Sequence, residues 1–255
     1  MMKDIALTTW SHTSYSDIWP MYFGQIKENA DFLKNYLFIN ELTKESPEWC
    51  EEIVNDEKKS FGERVCQSLE FVNESTIIWM QEDFILYDLV NPTDIYNLNH
   101  FLNAKDISFI RLMKSGVEGG AFVDESMGLY EVPYNCRYLY SLQATMWKKD
   151  HLKRLFEYYN PKNMMDAEVR GSNAAREVNI KGCYVYKKEK KRGNLHYDSS
   201  TFPYTSTALY GGSQGKCAMW QTDIYGKELR DLFLKYNIDP NIRGEMQKWE
   251  KGHKF

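Results

Sequence analysis

Short apolar runs of strand length alternate along this chain with segments whose apolar residues recur at helical spacing. The pattern predicts strands over residues 5–10, 36–39, 76–80, 108–112, 138–142 and 183–186. It predicts helices over residues 21–33, 61–72, 92–102, 148–159 and 166–178, between those strands. This alternation is typical of an α/β domain with a largely parallel sheet, which is the fold class that we expect.

Three of the predicted helices begin with a local start signal. Pro20 fits the first turn of the first helix, where the N–H that proline lacks would have no partner in any case. Ser60 and Glu63 have the spacing of a capping box, in which each side chain accepts a hydrogen bond from the other residue's backbone N–H. Asn91 and Pro92 open a further helix.

The character of the chain changes after residue 186. Residues 187–192 are a run of charged side chains, and the stretch that follows to residue 215 is rich in Tyr, Ser, Thr and Gly. Such a sequence predicts a long loop over the sheet, mobile in the absence of a ligand, because it buries little apolar surface. Two terminal helices are predicted over residues 227–236 and 241–249. We expect a single domain over residues 1–255, with a core of about 4–220 and a C-terminal helical extension over 221–255.

Composition and charge narrow the function. The chain has 255 residues, of which 43% are hydrophobic, and its formal net charge is −4, so it has no overall positive charge to bind a nucleic-acid backbone. Its five cysteines are widely spaced without a C-x-x-C pair, which predicts reduced thiols. The apolar stretch near residue 5 is too short for a secretory signal, and no 18-residue apolar run is present. We expect a cytoplasmic protein without a transmembrane segment or a nucleic-acid partner.

Two adjacent acids, Glu82 and Asp83, end the apolar strand predicted over residues 76–80. Ligands of open α/β sheets bind outside the carboxyl ends of the strands, so these carboxylates are candidates for a functional site. Carboxylates in such a place suit a hard divalent cation that also binds phosphate oxygens. The alternative is that the two acids cap a turn.

A second acidic pair, Asp166 and Glu168, lies where another helix is predicted to begin. The helix dipole and the free N–H groups of a first turn stabilise negative charge there. The alternative interpretation is structural, with Asp166 as the N-cap and Glu168 as a partner of the dipole. Together the two pairs describe a metal site and a candidate general base.

Four segments give the chain a resemblance to a known family. They are Gln81-Glu82-Asp83, the stretch 140–149, the acidic helix start 166–172, and Phe202-Pro203-Tyr204-Thr205. In this order they resemble the small nucleotide-sugar-dependent glycosyltransferases of GT-A fold, including those of bacterial surface-polysaccharide clusters and of large viruses. The likeness covers about residues 4–220. Gln81 departs from the family, whose Asp-x-Asp metal motif has an aspartate there, so Asp83 is the safer ligand.

The resemblance implies a GT-A-like, Rossmann-like mixed sheet flanked by helices and a metal-dependent sugar transfer. The donor would be a nucleoside diphosphate sugar, and the acceptor a hydroxyl of a glycan or another molecule. Asp83 would hold Mn²⁺ or Mg²⁺, and the general base would be Asp166, slightly preferred, or Glu168. Transfer would be inverting and would move a hexosyl or deoxyhexosyl group in polysaccharide biosynthesis. The aromatic residues between Tyr197 and Trp220 would stack on sugars and form a lid.

The resemblance also implies a set of donor contacts. The donor-binding residues would be Thr8, Thr9, Trp10, Asn40, Glu41, Arg64, Gln81 and Glu82. Arg64 would reach the diphosphate with its bidentate guanidinium, although a surface ion pair is the alternative. His196 would be a further metal ligand or diphosphate contact, although a lone histidine is often neither.

Two other classes of function stay open. A nucleotidyltransferase would use the same metal chemistry, but it is expected to have a Gly-rich basic loop after the first strand, where this chain has Trp10-Ser11-His12-Thr13-Ser14. A non-catalytic carbohydrate-binding protein would bind sugars without metal-dependent binding of a nucleotide. Walker, zinc-protease and dinucleotide-binding motifs are absent from the sequence.

Overall fold

The computed structural model of the chain describes residues 4–193, 196–210 and 218–246. The strands are β1 (Ile5–Trp10), β2 (Lys34–Ile39), β3 (Cys50–Val54), β4 (Thr76–Gln81), β5 (Phe109–Arg111), β6 (Phe122–Asp124), β7 (Leu129–Glu131), β8 (Thr145–Lys148), β9 (Gly182–Val185), β10 (Lys191–Arg192), β11 (His196–Tyr197), β12 (Leu209–Tyr210) and β13 (Met219–Trp220). The α-helices are α1 (Trp19–Asn29), α2 (Phe61–Glu70), α3 (Pro92–Ala104), α4 (Lys149–Tyr159), α5 (Met164–Glu177) and α6 (Thr222–Tyr236).

Nine strands form one mixed sheet in the order β3-β2-β1-β4-β8-β5-β9-β7-β6. The strands β3, β2, β1 and β4 run parallel to one another, whereas β8 is antiparallel between β4 and β5. The parallel half therefore brings the carboxyl ends of four strands to one edge of the sheet. The predicted fold class, an α/β domain with a largely parallel sheet, is confirmed.

Helices cover both faces of the sheet. One hydrophobic core contains side chains of α1, α3 and α6, and the other contains side chains of α2, α4 and α5. Successive residues of β1 alternate between the two, since Ile5 and Leu7 belong to the first core and Ala6 to the second. Burial on both faces explains why the parallel strands read as continuous apolar runs in the sequence.

The predicted helix starts are confirmed. Pro20 lies in the first turn of α1. Ser60 and Glu63 form the complete capping box of α2, and the side chain of Asn91 accepts hydrogen bonds from two backbone N–H groups at the start of α3. Each start satisfies N–H groups that have no partner within the helix.

The strand predicted over residues 138–142 is wrong, because this stretch is irregular and the strand begins at Thr145. The buried guanidinium of Arg111 donates hydrogen bonds to the carbonyl oxygens of Tyr138 and Leu139, at 2.7 and 3.3 Å. A side chain thus satisfies backbone groups that a neighbouring strand would otherwise satisfy.

Three strands of the central sheet were not predicted: β3, β6 and β7. In β3 only Cys50 and Ile53 are buried, so the strand has no apolar run. The strands β6 and β7 have three residues each, which is too short for a periodic pattern to be recognised.

The mobile loop predicted over residues 187–215 is largely wrong. Residues 191–192 and 196–197 form the hairpin of β10 and β11, and the side chains of Phe202 and Tyr204 are fully buried. Tyr204 also forms a β-bridge with Leu86. These aromatic rings belong to the hydrophobic core, so they are not free to stack on a sugar. Residues 194–195 and 211–215 of the predicted loop lie outside the described ranges.

The predicted helix over 227–236 is confirmed within α6, but the one over 241–249 is wrong for its described part. Residues 240–242 form a single 3₁₀ turn, and Glu245 makes a β-bridge with Trp220. Residues 247–249 lie outside the described ranges. Because α6 contributes Leu229 and Phe233 to a main core, it is an integral part of the domain. In the described ranges, none of the helices has the length and apolar composition needed to cross a membrane.

Candidate active site

The two acids after β4 lie at the edge where the parallel strands end. The backbone carbonyl of Asp83 accepts hydrogen bonds from the Thr205 hydroxyl at 3.2 Å and from the Ala208 N–H at 3.0 Å. The N–H of Leu209 donates to the Asp83 side chain. The buried segment around Tyr204 therefore fixes the turn that presents both acids.

Burial raises the pKa of both carboxyl groups. The pKa of Asp83 rises to about 7, because burial and the negative charge of Glu168 outweigh the hydrogen bond from Leu209. The pKa of Glu82 rises to about 8, because burial and the charge of Asp83 outweigh the stabilising effects of Arg243 and of the Ser11 hydroxyl. A divalent cation at this place would favour the charged forms of both groups.

The acids fit a cation whose other ligands come from a substrate. Among the described residues, no group of three or more His, Cys, Asp or Glu side chains is arranged to hold a metal ion. One or two carboxylates together with phosphate oxygens are a common set of ligands for Mg²⁺. Asp83 and Glu82 are the carboxylates that could hold such a cation at this edge of the sheet.

His196 lies on β11, opposite Arg192 of β10. Burial lowers its pKa, and no charge or hydrogen bond in the described ranges changes that pKa appreciably. In the described part of the chain, His196 does not form a metal-binding group with Glu82 and Asp83.

The threonines of β1 belong to the core. Thr8 and Thr9 are fully buried, the hydroxyl of Thr8 is 3.4 Å from the carbonyl oxygen of Ile78, and that of Thr9 is 2.7 Å from the Tyr22 hydroxyl. Both side chains are therefore enclosed by the protein and do not reach the surface at the strand ends. Gln81 is half-buried at the end of β4, and its amide donates to the Leu142 carbonyl at 3.4 Å.

A second cluster of side chains, formed by Trp10, Asn55 and Arg64, lies at the ends of β1 and β3. The guanidinium of Arg64 lies 5.0 Å from the centre of the Trp10 ring and donates to the side-chain oxygen of Asn55 at 3.4 Å. Arg64 Nε and Asn55 Nδ2 are buried and have no hydrogen-bond partner in the described part of the chain. The predicted alternative, a surface ion pair of Arg64, is not observed within that part. Asn55 follows β3, so it was missed together with that strand.

Asn40 and Glu41, at the end of β2, hold the segment that follows β1. The side-chain oxygen of Asn40 accepts a hydrogen bond from the Thr13 N–H at 2.9 Å, and Glu41 accepts one from the Thr13 hydroxyl at 3.0 Å. Residues 13–18 form a 3₁₀ helix there, with His12 as its cap. These contacts fix the edge of the site next to Trp10.

The two candidate acids of α5, Asp166 and Glu168, have different surroundings. The N-cap of α5 is Asn163, not Asp166. Asp166 accepts a hydrogen bond from the Lys162 N–H at 2.8 Å and forms an ion pair with Arg170, whose Nε lies 2.6 Å from its carboxylate. These contacts lower the pKa of Asp166 and assign it to the helix start.

The carboxylate of Glu168 forms no hydrogen bond or ion pair with the described residues. Partial loss of hydration raises the pKa of its carboxyl group, and its negative charge in turn raises the pKa of Asp83. Of Asp166 and Glu168, it is therefore Glu168 whose charge raises the pKa of Asp83.

Arg243 is a further charged residue near the site, and it was missed because it lies within the incorrectly predicted helix. Its Nη2 is 2.5 Å from the carboxylate of Asp17, and its guanidinium lies 4.9 Å from the centre of the Tyr15 ring. Its positive charge lowers the pKa of Glu82. Nothing in the local sequence pattern indicates that this residue returns to the strand ends.

The scan against models of protein families finds no match, and the search of curated proteins finds none either. Among solved structures, the chain is similar to residues 1–349 of TarS from S. aureus in complex with UDP-GlcNAc, with a TM-score of 0.50 and 14% sequence identity. The similarity covers 92% of this chain and 66% of the TarS chain. This chain therefore spans slightly less than two thirds of that fragment.

Two further similarities have lower scores. The mannosyltransferase PcManGT from Pyrobaculum calidifontis, in complex with GDP-Man and Mn²⁺, has a TM-score of 0.48 at 10% identity, over 74% of this chain and 58% of that one. A cytidylyltransferase from Leptospira borgpetersenii has a TM-score of 0.45 at 10% identity, over 94% and 98% of the two chains. The expected GT-A-like fold is confirmed; identities this low show the fold alone.

Proposed function

We propose that this chain is a glycosyltransferase that moves a sugar from a nucleoside diphosphate sugar to a hydroxyl group of an acceptor. The observation that supports it best is that the negative charge of Glu168, on α5, contributes to the raised pKa of Asp83, which follows β4. Sugar transfer needs charge compensation for the departing diphosphate and a base for the acceptor proton. The two acids supply groups suited to these two tasks.

The segment after β1 favours this function over nucleotidyl transfer. Residues 11–18 include neither glycine nor a basic Lys or Arg side chain, and residues 13–18 form a 3₁₀ helix. The Gly-rich basic loop that a nucleotidyltransferase would place there is therefore replaced by a structured segment without positive charge. The similarity to a cytidylyltransferase makes nucleotidyl transfer an outcome that the experiment below must distinguish.

The donor would lie along the edge formed by the ends of β3, β2, β1 and β4. In this order, β3 and β4 are three strand positions apart, which is about 14 Å at a spacing of about 4.8 Å per strand. We infer that Asn55 and Arg64, whose side-chain N–H groups include some without a hydrogen-bond partner, bind the nucleoside. Asp83 would lie at the diphosphate end. The expected contact of Arg64 with the diphosphate is thereby replaced by a contact with the nucleoside.

Asp83, together with Glu82, would hold Mn²⁺ or Mg²⁺ at the diphosphate end. A divalent cation bound there supplies positive charge that stabilises the departing nucleoside diphosphate. The raised pKa values of the two acids imply that protons compete with the cation for these carboxylates.

Glu168 is the better candidate for the general base, in place of the slightly preferred Asp166. Its carboxylate is not engaged by an ion pair, whereas that of Asp166 binds Arg170. Glu168 would accept the proton of the acceptor hydroxyl while that oxygen bonds to the anomeric carbon. The bond from that carbon to the diphosphate breaks, and its electron pair leaves with the nucleoside diphosphate. Attack from the face opposite the leaving group would invert the anomeric configuration.

Thermal-shift measurements with nucleoside mono-, di- and triphosphates, each with and without Mn²⁺, test this proposal. We expect diphosphates to raise the melting temperature most, and only when Mn²⁺ is present. The matching nucleotide sugar should then release nucleoside diphosphate when acceptor glycosides are added. Preferential stabilisation by a triphosphate, with release of pyrophosphate, would indicate a nucleotidyltransferase. Stabilisation by sugars without any nucleotide would indicate a carbohydrate-binding protein.

A further inference from the structure

Helix α5 exposes two apolar side chains close to Glu168. Met165 is 72% exposed and Val169 is 73% exposed. Among the helices in the described ranges, α5 alone has two exposed large apolar residues. Solvated apolar groups of this size, grouped at a candidate site, indicate contact with a ligand or partner.

Helical geometry places Met165 beside both Glu168 and Val169. Met165 lies three positions before Glu168 and four positions before Val169. Residues at these spacings are neighbours on a helix surface. One turn further along α5, Ser172 is buried and its hydroxyl lies 3.2 Å from the Tyr140 carbonyl oxygen. The exposed apolar surface is therefore confined to the turns around the candidate base.

A second exposed apolar pair lies close to Asp83. Tyr210 directly follows Leu209, whose N–H donates to the Asp83 side chain. Tyr210 is 48% exposed, and its register partner on β13, Met219, is 39% exposed. Both candidate reacting groups, the acid on α5 and the acid after β4, thus have exposed apolar neighbours.

We propose that the acceptor carries an apolar group, aliphatic or aromatic, next to the hydroxyl that is glycosylated, and that Met165 and Val169 bind this group. The inference rests on the proposed function, because a hydroxyl that reaches Glu168 brings its neighbouring atoms against these two side chains. A sugar without an apolar aglycone presents mainly hydroxyl groups to these two side chains and leaves them exposed to water. An alkyl or aryl aglycone would remove them from water, which is favourable in proportion to the apolar area buried.

NMR of protein labelled at the methionine methyl groups with ¹³C tests the inference without relying on turnover. The Met165 signal is assigned with the Met165→Leu variant. Methyl, hexyl and phenyl glycosides of the same sugars are titrated in turn, with and without nucleoside diphosphate and Mn²⁺. We expect the Met165 signal to shift with hexyl or phenyl glycosides at concentrations at which methyl glycosides have no effect. The stronger of the two responses identifies the aglycone as aliphatic or aromatic.

Two variants make the test specific. Val169→Ser should weaken hexyl or phenyl glycoside binding at least fivefold, whereas Leu234→Ser should leave it unchanged, because Leu234 is 85% exposed on α6 and has no place in the site. An unresponsive Met165 signal, equal responses to methyl and hexyl glycosides, or equal losses in both variants would overturn the inference. So would concentration-dependent dimerisation that Val169→Ser abolishes, because α5 would then contact a second copy. Failure of the proposed function would show separately, as the absence of stabilisation by nucleotides.

Discussion

Asp83 lies in a turn that is fixed by hydrogen bonds to its backbone carbonyl, and we propose its carboxylate as the metal ligand. Asp83→Asn keeps a side-chain oxygen that can accept the Leu209 N–H but removes the negative charge. We expect the variant to fold normally and to lose Mn²⁺-dependent stabilisation by nucleoside diphosphates, measured by thermal shift. Asp88→Asn, which changes an exposed acid five positions later, should behave as the parent protein. Retained Mn²⁺ dependence in Asp83→Asn would refute the metal assignment.

The raised pKa values of the same acids predict how stability depends on pH. Their ordinary values are 3.8 and 4.5, and in the folded chain they are about 7 for Asp83 and about 8 for Glu82. At pH values between the ordinary and the raised pKa, the folded chain holds protons that the unfolded chain has released. These two groups therefore make the free energy of unfolding fall as pH rises. We expect urea unfolding of the metal-free protein between pH 5.5 and 8 to show this fall.

The double variant Glu82→Gln, Asp83→Asn is the control for that measurement. It has neither carboxyl group, so its stability should fall less than that of the parent over the same pH interval. Parallel pH profiles of the two proteins would show that the acids are ionised in the folded state throughout. Mn²⁺ affinity of the parent should increase with pH in this interval, because protons and the cation compete.

At the scale of single residues, the sequence identified acids more readily than their partners. Glu82, Asp83 and Glu168 stand out because charged residues follow an apolar strand or open a helix. Arg243 and Asn55 have no such signal, since Arg243 interacts with Asp17 and Glu82, which are distant in sequence, and Asn55 follows a strand without an apolar run. Their positions depend on how the chain folds back, which local periodicity does not encode.

On α5, the proposed catalytic role and helix stability can be tested separately, because Asp166 and Glu168 lie two positions apart and have different contacts. Glu168→Gln should lower turnover by about 10²- to 10⁴-fold, as removal of a general base does, with little change in donor affinity or melting temperature. Asp166→Asn should lower the melting temperature by about 1 to 3 °C, because it weakens the contacts with Arg170 and the Lys162 N–H. Turnover and melting temperature are measured for both variants. A larger loss of turnover in Asp166→Asn would instead restore Asp166 as the base.

At the scale of elements, the sequence predicted best where a segment determines its own structure. The capping box at Ser60 and the parallel strands β1, β2 and β4 have strong local patterns. Residues 138–142 have an equally apolar pattern, yet they are irregular because the Arg111 side chain binds their carbonyl groups. The polar composition around Tyr204 suggested a loop, but pairing with the turn after β4 buries it. Long-range partners decide both cases.

At the scale of the whole molecule, the C-terminal segment completes the domain. Trp220, Leu229 and Phe233 are part of the main core, and the Tyr236 hydroxyl lies 2.9 Å from the side-chain nitrogen of Gln25 on α1. The expected boundary near residue 220 therefore divides a continuous core. Unfolding of the region that includes α6 should be coupled to unfolding of the sheet that holds the site.

Phe233→Ala tests this coupling. The Phe233 ring lies 4.7 Å from the centre of the buried Trp220 ring, so truncation leaves a cavity in the core. We expect the free energy of unfolding to fall by about 3 to 5 kcal/mol, with one shared transition in circular dichroism and tryptophan fluorescence. Leu234→Ala changes the neighbouring exposed residue and should alter the free energy of unfolding by less than about 0.5 kcal/mol. If α6 were instead a separate extension, Phe233→Ala would split the transition in two and leave nucleotide-dependent stabilisation of the remaining domain unchanged.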